Sequence, residues 1–335
     1  MSIVVGDFNN DKHIDLAVSN TQADHISVLF GNGDGSFQNQ ITYLTGPGPK
    51  YMAIEDFNHD NQLDIAAPTA AGVSILLSNG DGTFQNYVTY PICSQGQTVA
   101  VGDFNNDTEL DLAVTCFDAN TIDILLGNGD GTFQNQTTYD AGRSPYDLKI
   151  GDFNNDMILD LAATNNYDHT ANILLGNGDG TFQNITKYEA GNPPTSIGIG
   201  DFNNDHKQDL AAVNLIGTTV SVLLGNGNGM FQDPTPYTVA TNPFAVIVDD
   251  FNRDSILDLV VSSFCESSVF VLLGYGNGTF QERKSYLVST AQIPVASADL
   301  DGNRILDLIV GFPNDGSIDV LLGNGDGTFR QYFAY

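Results

Sequence analysis

The sequence predicts an all-β fold, a seven-bladed β-propeller with four antiparallel strands in each blade, and three observations predict it. Two short strings each recur seven times along the 335 residues, their spacing is 49 residues in all but one instance, and the stretches around them carry strand signals. Repeats of this length holding four strands are the pattern of propeller blades, and four to eight blades close a ring. A β-helix or solenoid would use shorter repeats and need distinctive end caps, whereas the first and last units here look like the middle ones.

The first string, Asp-Phe-Asn-x-Asp-x-x-x-Asp or a close variant, begins at Asp7, Asp56, Asp103, Asp152, Asp201, Asp250 and Asp299. The second, Gly-Asn-Gly-Asp-Gly-Thr-Phe-Gln or a near copy, begins at Gly31, Ser78, Gly127, Gly176, Gly225, Gly274 and Gly323. The exceptional spacing is 47 residues, between units two and three as counted on the acidic string, and the two missing residues lie between the strings of unit two, at Pro68–Gly72. Unit two is therefore expected to have a shorter loop. No Pro-rich, Ser-rich or charged stretch reads as a linker. The chain is expected to form one domain, with blades over approximately 1–45, 46–92, 93–141, 142–190, 191–239, 240–288 and 289–335.

Unit three illustrates the strands. Val99-Ala100-Val101-Gly102 leads into the acidic string, Leu112-Ala113-Val114 follows it, and Ile122-Asp123-Ile124-Leu125-Leu126 comes next, all with buried-strand signals. The Asn128-Gly129-Asp130-Gly131 turn supplies positive-φ residues, and a polar fourth strand from Thr132 to Tyr139 suits an exposed outer edge. Thirteen of the 20 phenylalanines recur at fixed places: six follow the first Asp of a loop, where Leu300 stands in the seventh, and seven follow the hairpin turn. Blade-to-blade packing accounts for them.

Within each nine-residue loop, carboxylate or carboxamide oxygens fall at positions one, three, five and nine. They are Asp7, Asn9, Asp11 and Asp15 in the first loop, and Asp56, Asn58, Asp60 and Asp64 in the second. The third has Asp103, Asn105, Asp107 and Asp111, and the fourth Asp152, Asn154, Asp156 and Asp160. Next come Asp201, Asn203, Asp205 and Asp209, then Asp250, Asn252, Asp254 and Asp258. The seventh exchanges the middle pair, with Asp299, Asp301, Asn303 and Asp307. A hard cation such as calcium takes six to eight oxygen ligands, backbone carbonyls among them. The position-seven carbonyls of His13, Gln62, Glu109, Ile158, Lys207, Ile256 and Ile305 are expected to join each set. Calcium, up to seven ions, is the expected cofactor. Magnesium prefers fewer protein ligands, and ligand positions without His or Cys side chains disfavour zinc and copper.

An EF-hand would need a Glu at position twelve and flanking helices. Position twelve is Val18, Ala67, Val114, Ala163, Ala212, Val261 or Val310, which excludes it. The bland alternative is that these Asp and Asn residues only make Asx-turns. Three carboxylates per loop account for 21 of the 41 acidic residues, and seven divalent ions would take the formal charge from −30 to −16.

The loop with its preceding strand, as in Val101-Gly102-Asp103-Phe104-Asn105, resembles the FG-GAP or VCBS repeat of integrin α-subunit propellers and of many secreted or surface proteins. The resemblance spans the chain. It implies that each loop joins the first and second strands of its blade with calcium on the lower face. Family loops usually have Gly at position six, where this chain has Lys12, Asn61, Thr108, Met157, His206, Ser255 and Arg304, so those residues must accept the geometry that Gly eases.

On that map the upper face carries the segments that vary between units, with Phe117, Tyr146, Tyr167, Phe244, Phe264, Phe312, His25 and His169. Aromatic groups there suit stacking on sugars or anchoring a protein. The expected function is a non-enzymatic, extracellular or cell-surface module that binds a protein or glycan on its upper face, as a monomer. The alternatives are a polysaccharide-cleaving enzyme and a purely structural scaffold. The charge of −30 repels nucleic acid and anionic lipid. No apolar run is long enough to span a membrane, and no signal peptide precedes the first strand-like stretch. Cys93 and Cys116 fall on one side of blade three, where a disulfide is one of two readings and free thiols the other.

Overall fold

A computed structural model describes residues 2–289, 294–312 and 316–334, with side chains left undescribed from 331 onward. It contains seven four-stranded antiparallel sheets, and in each the strands lie side by side in chain order. Every blade is thus made from one contiguous stretch of chain. The inner strands of neighbouring blades touch around the axis. The second strands, such as Asp111–Cys116 and Asp160–Asn165, are buried throughout. The outer strands, such as Thr137–Asp140, are largely exposed, which polar edge residues tolerate.

Each acidic loop joins an inner to a second strand, as the resemblance implied, and its ninth residue opens the second strand in all seven blades. Position twelve packs inside that strand. In blade two, Thr69 pairs with Gly72 across a two-residue turn, where blade one has the four residues 21–24 between its second and third strands. Those are the two residues missing from the period. The outer strand of blade three starts later than expected, at Thr137. Phe133 makes an isolated bridge to Gly127, and Gln134 N donates to Leu126 O, before the chain re-enters the ladder.

Seven apolar clusters hold the molecule together, each shared by two adjacent blades. The recurring phenylalanines meet in them. Phe104 of the loop in blade three lies edge-on to Phe182 of the next blade's turn at 5.5 Å, and Tyr139 of the outer strand completes the group at 5.6 Å from Phe182. The same trio recurs at every interface from blades one and two to blades six and seven. Edge-to-face packing of this kind adds about 0.5–1.5 kcal/mol per pair to the area term.

The ring closes without an exchanged strand. Ile3, Leu16, Val18 and Phe37 of blade one pack on Leu300, Ile309, Ile318 and Val320 of blade seven. The carbonyl of each loop's second residue also accepts a hydrogen bond from a glycine N–H in the next blade's hairpin turn, from Phe8 with Gly82 through Phe251 with Gly327. Leu300 O and Gly35 N, 3.1 Å apart, repeat the bond across the seam.

Candidate functional site

The seven acidic loops fold alike because their side chains satisfy their own backbone. The position-one carboxylate accepts from the N–H of position five with Oδ1 and of position six with Oδ2; for Asp103 the donors are Asp107 N at 3.1 Å and Thr108 N at 2.9 Å. The position-three oxygen accepts from position five as well, and position-five Oδ1 accepts from the N–H of position seven. These bonds recur in every loop, from Asp7, Asn9 and Asp11 to Asp299, Asp301 and Asn303. The Asx-turn reading is therefore correct as far as it goes. It does not use up the oxygens, because a carboxylate offers about four acceptor positions.

Two residues per loop take left-handed backbone. Position four does so at Asn10, His59, Asn106, Asn155, Asn204, Arg253 and Gly302. Position six does so at all seven residues that stand in place of the usual Gly, with φ from 61° at Asn61 to 74° at Thr108. The strain expected from the sequence is real at Thr108, since a β-branched residue belongs least in that region.

Position nine has a different duty. Asp15, Asp64, Asp111, Asp160, Asp209, Asp258 and Asp307 are fully buried. Each clamps its blade, one oxygen accepting from the N–H of loop position two and the other from the N–H that opens the hairpin turn, at 2.7–3.0 Å. Burial pushes each carboxyl up to about 6, the two N–H bonds pull the other way, and the carboxylates of positions five and one, or three and one in the seventh loop, add to the rise. An acid held charged against that tendency is a place where a cation would relieve the loop.

The loops differ in how close their carboxylates come. In five of them the position-three amide donates to position five, as from Asn154 to Asp156 Oδ2 at 2.8 Å. In the fifth, Lys207 Nζ reaches Asp205 Oδ2 at 3.1 Å. Only the seventh loop, among the described residues, brings three carboxylates within 4.8 Å of one another, at Asp299, Asp301 and Asp307. Its exchanged middle pair explains this, because Asp301 stands where the other loops have a neutral amide. Carboxylates gathered in this way suit an oxygen-seeking cation.

On the opposite face, aromatic side chains form a chain of ring contacts, edge-on except for the tilted last pair. Tyr146, second in the inner strand of blade four, lies 6.0 Å from Tyr51, 6.1 Å from Phe117 and 6.5 Å from Phe244, which continues to Phe264 at 6.1 Å. The inner strands run from this end toward the acidic loops, so the cluster lies at the upper end of the axis. Burial raises the Tyr51 and Tyr146 hydroxyls. Tyr167 stands apart, 65% exposed beneath the Arg143 guanidinium. Phe312 departs from expectation. It is 1% exposed and belongs to the core shared by blades six and seven, because the last residue of that second strand points into the interface. His169 is exposed, and the half-buried His25 bonds to Ala23 O through Nδ1 at 2.7 Å.

A model of the FG-GAP-like repeat matches the sequence six times, over residues 7–67, 56–114, 103–163, 152–212, 201–261 and 250–310. The chain belongs to the FG-GAP-like repeat family. Each FG-GAP match runs from one acidic loop to the second strand of the following blade, and together they cover all seven loops. No curated protein matches the sequence. Solved structures share the fold at low identity. An Agrocybe aegerita lectin that recognises non-reducing terminal N-acetylglucosamine is 19% identical with a TM-score of 0.65, over 100% of this chain and 93% of the lectin. A Lactobacillus plantarum protein is 13% identical with a TM-score of 0.71, over 99% and 95%. A candidate 6-phosphogluconolactonase from Bacteroides uniformis is 12% identical with a TM-score of 0.70, over 99% and 95%.

Sequence reasoning missed two features of this FG-GAP propeller. Tyr51 sits in a blade-linking segment. The loops are also tied to one another: Asn10 donates to Gln62 Oε1 and to Gly80 O, and His59 meets Glu109 at 2.6 Å. Position four of one loop thus reaches position seven of the next, a pairing that polar residues at those two positions in consecutive units could have signalled. Cys93 and Cys116 form a disulfide. Among the described residues no helix is long and apolar enough to cross a membrane.

Proposed function

We propose that this chain is a non-enzymatic, ligand-binding propeller of an extracellular or cell-surface protein, fastened by calcium in its lower loops and binding a glycan or a protein at its upper face. The aromatic chain from Tyr51 through Tyr146 and Phe244 to Phe264 carries the binding half of the proposal. Side chains of this kind, held by one another at the upper end of the axis, lose little entropy on meeting a ligand. A glycan is the favoured ligand, in keeping with the lectin among the fold relatives. The Cys93–Cys116 bridge supports an oxidising compartment.

Calcium, at up to seven ions, would be held by the carboxylates and amides of positions one, three, five and nine, and would supply charge compensation for the buried position-nine acids. A glycan array probed with the calcium-loaded chain tests the binding half. Saturable binding to some glycans, weakened by Tyr146→Ala or Phe244→Ala in proteins that melt normally, is expected. Silence on glycans and on a panel of surface proteins would refute it. Metal analysis after dialysis against calcium tests the other half, and a chain that retains none at millimolar calcium would end it.

A further inference from the structure

Each blade has a niche on its upper outer wall, between the end of the second strand, the third strand and the outer strand, and most blades fill it themselves. In blade two, Ser74 bonds to Thr89 of the outer strand at 3.0 Å. In blade three, Asp123 accepts from Thr138 Oγ1 and Cys93 N beside the disulfide. In blade four, Asn165 and Asn172 both donate to Ala141 O. In blade six the Arg283 guanidinium covers the Phe270 ring at 4.7 Å, and in blade seven Ser289 caps Asp319.

In blade one Asn20 donates to Ser27 Oγ at 2.8 Å and both line a cavity of about 250 Å³, and blade five leaves a larger space open. Ser221 is paired across the ladder with Pro236, which has no polar side chain to offer, and a cavity of about 380 Å³ results. That volume lies in the range of small-molecule sites. Asn214, 2% exposed, lies on its floor and donates to Thr219 Oγ1 at 3.1 Å and Ser221 Oγ at 3.0 Å. Both hydroxyls act as acceptors there, so their own protons can be directed into the cavity. Glu189 and Asn192, from the strand and linker before blade five, supply exposed acceptors and a donor on one rim, and Ile216 and Pro236 supply apolar surface on the other.

We propose that this niche is a second binding site, separate from the aromatic rim, that takes one neutral polyhydroxylated ring such as a pyranose. Hydroxyl donors, a carboxylate acceptor and amides facing an aliphatic wall match a group that has vicinal hydroxyls and a C–H face. Glu189 and the net charge of −30 act against an anion. Among the described residues no lysine or arginine lines the cavity.

The site is testable by amide chemical shifts in the isotope-labelled, calcium-loaded chain, titrated with methyl glycosides of common hexoses and N-acetylhexosamines and, separately, with methylammonium. Saturable shifts at residues 189–192, 214–221 and 235–238 are expected with at least one glycoside, at a Kd on the order of millimolar. Pro236→Trp, which fills the niche from an exposed edge, should weaken binding at least about tenfold, and Glu189→Gln no more than about threefold. An otherwise unchanged spectrum certifies the fold of each variant. The proposal is overturned if no glycoside moves these amides, if Pro236→Trp leaves the shifts in place, or if methylammonium moves them and Glu189→Gln abolishes the effect. Amides near Tyr146 and Phe244 appear in the same spectra, so failure at the rim and failure at the niche are read separately.

Discussion

Asp160→Asn separates the two duties of a position-nine acid. Without calcium at pH 7.5, the wild-type carboxylate is ionised in a site that raises it to about 6 from 3.8, a cost on the order of 3 kcal/mol at about 1.4 kcal/mol per unit. Asparagine removes that cost. It also leaves one carbonyl to serve the two N–H donors of Phe153 and Gly176, now at 2.9 and 2.8 Å, and a buried donor deprived of a charged acceptor costs about 1.5–3 kcal/mol. The terms nearly cancel, and the calcium-free mutant should melt within a few degrees of the parent. With calcium at roughly 100 times its Kd the balance changes. The ion already offsets the charge in the parent, and the mutant loses that loop's linkage, about 2.7 kcal/mol, on top of its near-zero calcium-free difference. The expected loss is about 1–3 kcal/mol, or roughly 2–4 °C in Tm for a chain of this length. Differential scanning calorimetry in chelator and in calcium reads both values. Equal losses in the two buffers would refute the reasoning, because the carboxylate would then have no metal-linked role.

Other outcomes follow from the same geometry. All seven position-nine acids are raised, so the calcium-free native state takes up protons near pH 6 while the unfolded chain waits until about 3.8. Stability of the calcium-free protein should therefore rise as pH falls from 7.5 to 5, and the calcium-induced gain in Tm should shrink over the same window; a Tm that falls steadily on acidification contradicts this. The turn acids Asp34, Asp81, Asp130, Asp179 and Asp326 are lowered by their own turn hydrogen bonds, so their contribution disappears only below the ordinary carboxylate range. Thr108→Gly relieves a φ of 74° and should stabilise the protein by about 1 kcal/mol in urea unfolding, after the entropy cost of glycine. Reducing the Cys93–Cys116 bridge, or Cys93→Ser with Cys116→Ser, reopens a loop spanning 23 residues and should cost about 3 kcal/mol, measured as a lower urea midpoint.

The parts of this structure that repeat were legible in the sequence, and the parts that do not were only partly so. Blade number, the place of every acidic loop and the inter-blade role of Phe104 or Phe182 follow from a period, because a residue that recurs at one spacing meets the same surroundings in each blade. Phe312 closes its second strand and is buried like its equivalents Cys116, Asn165, Asn214 and Ser263. Phe264 lies one residue beyond its strand and stays accessible, a difference of one register position at a strand end that sequence pattern does not fix. Tyr51 belongs to the rim only because its segment bridges to Thr98 of the neighbouring blade, a contact across sheets that no local pattern encodes. The open niche in blade five was invisible for a related reason. Pro236 reads as an ordinary edge residue until the side chains that fill the same place elsewhere are compared.

The contiguous build of each blade bears on how such a molecule changes over evolutionary time. No sheet borrows a strand from another unit, and the seam between blades seven and one is held by the same carbonyl-to-amide bond as the other interfaces. Duplication or loss of a whole unit would leave every remaining sheet intact and re-form that bond between new neighbours. The ring can therefore be lengthened, shortened or shuffled in steps of one gene segment, with ligand niches diversified on some copies while others keep the fastening unchanged.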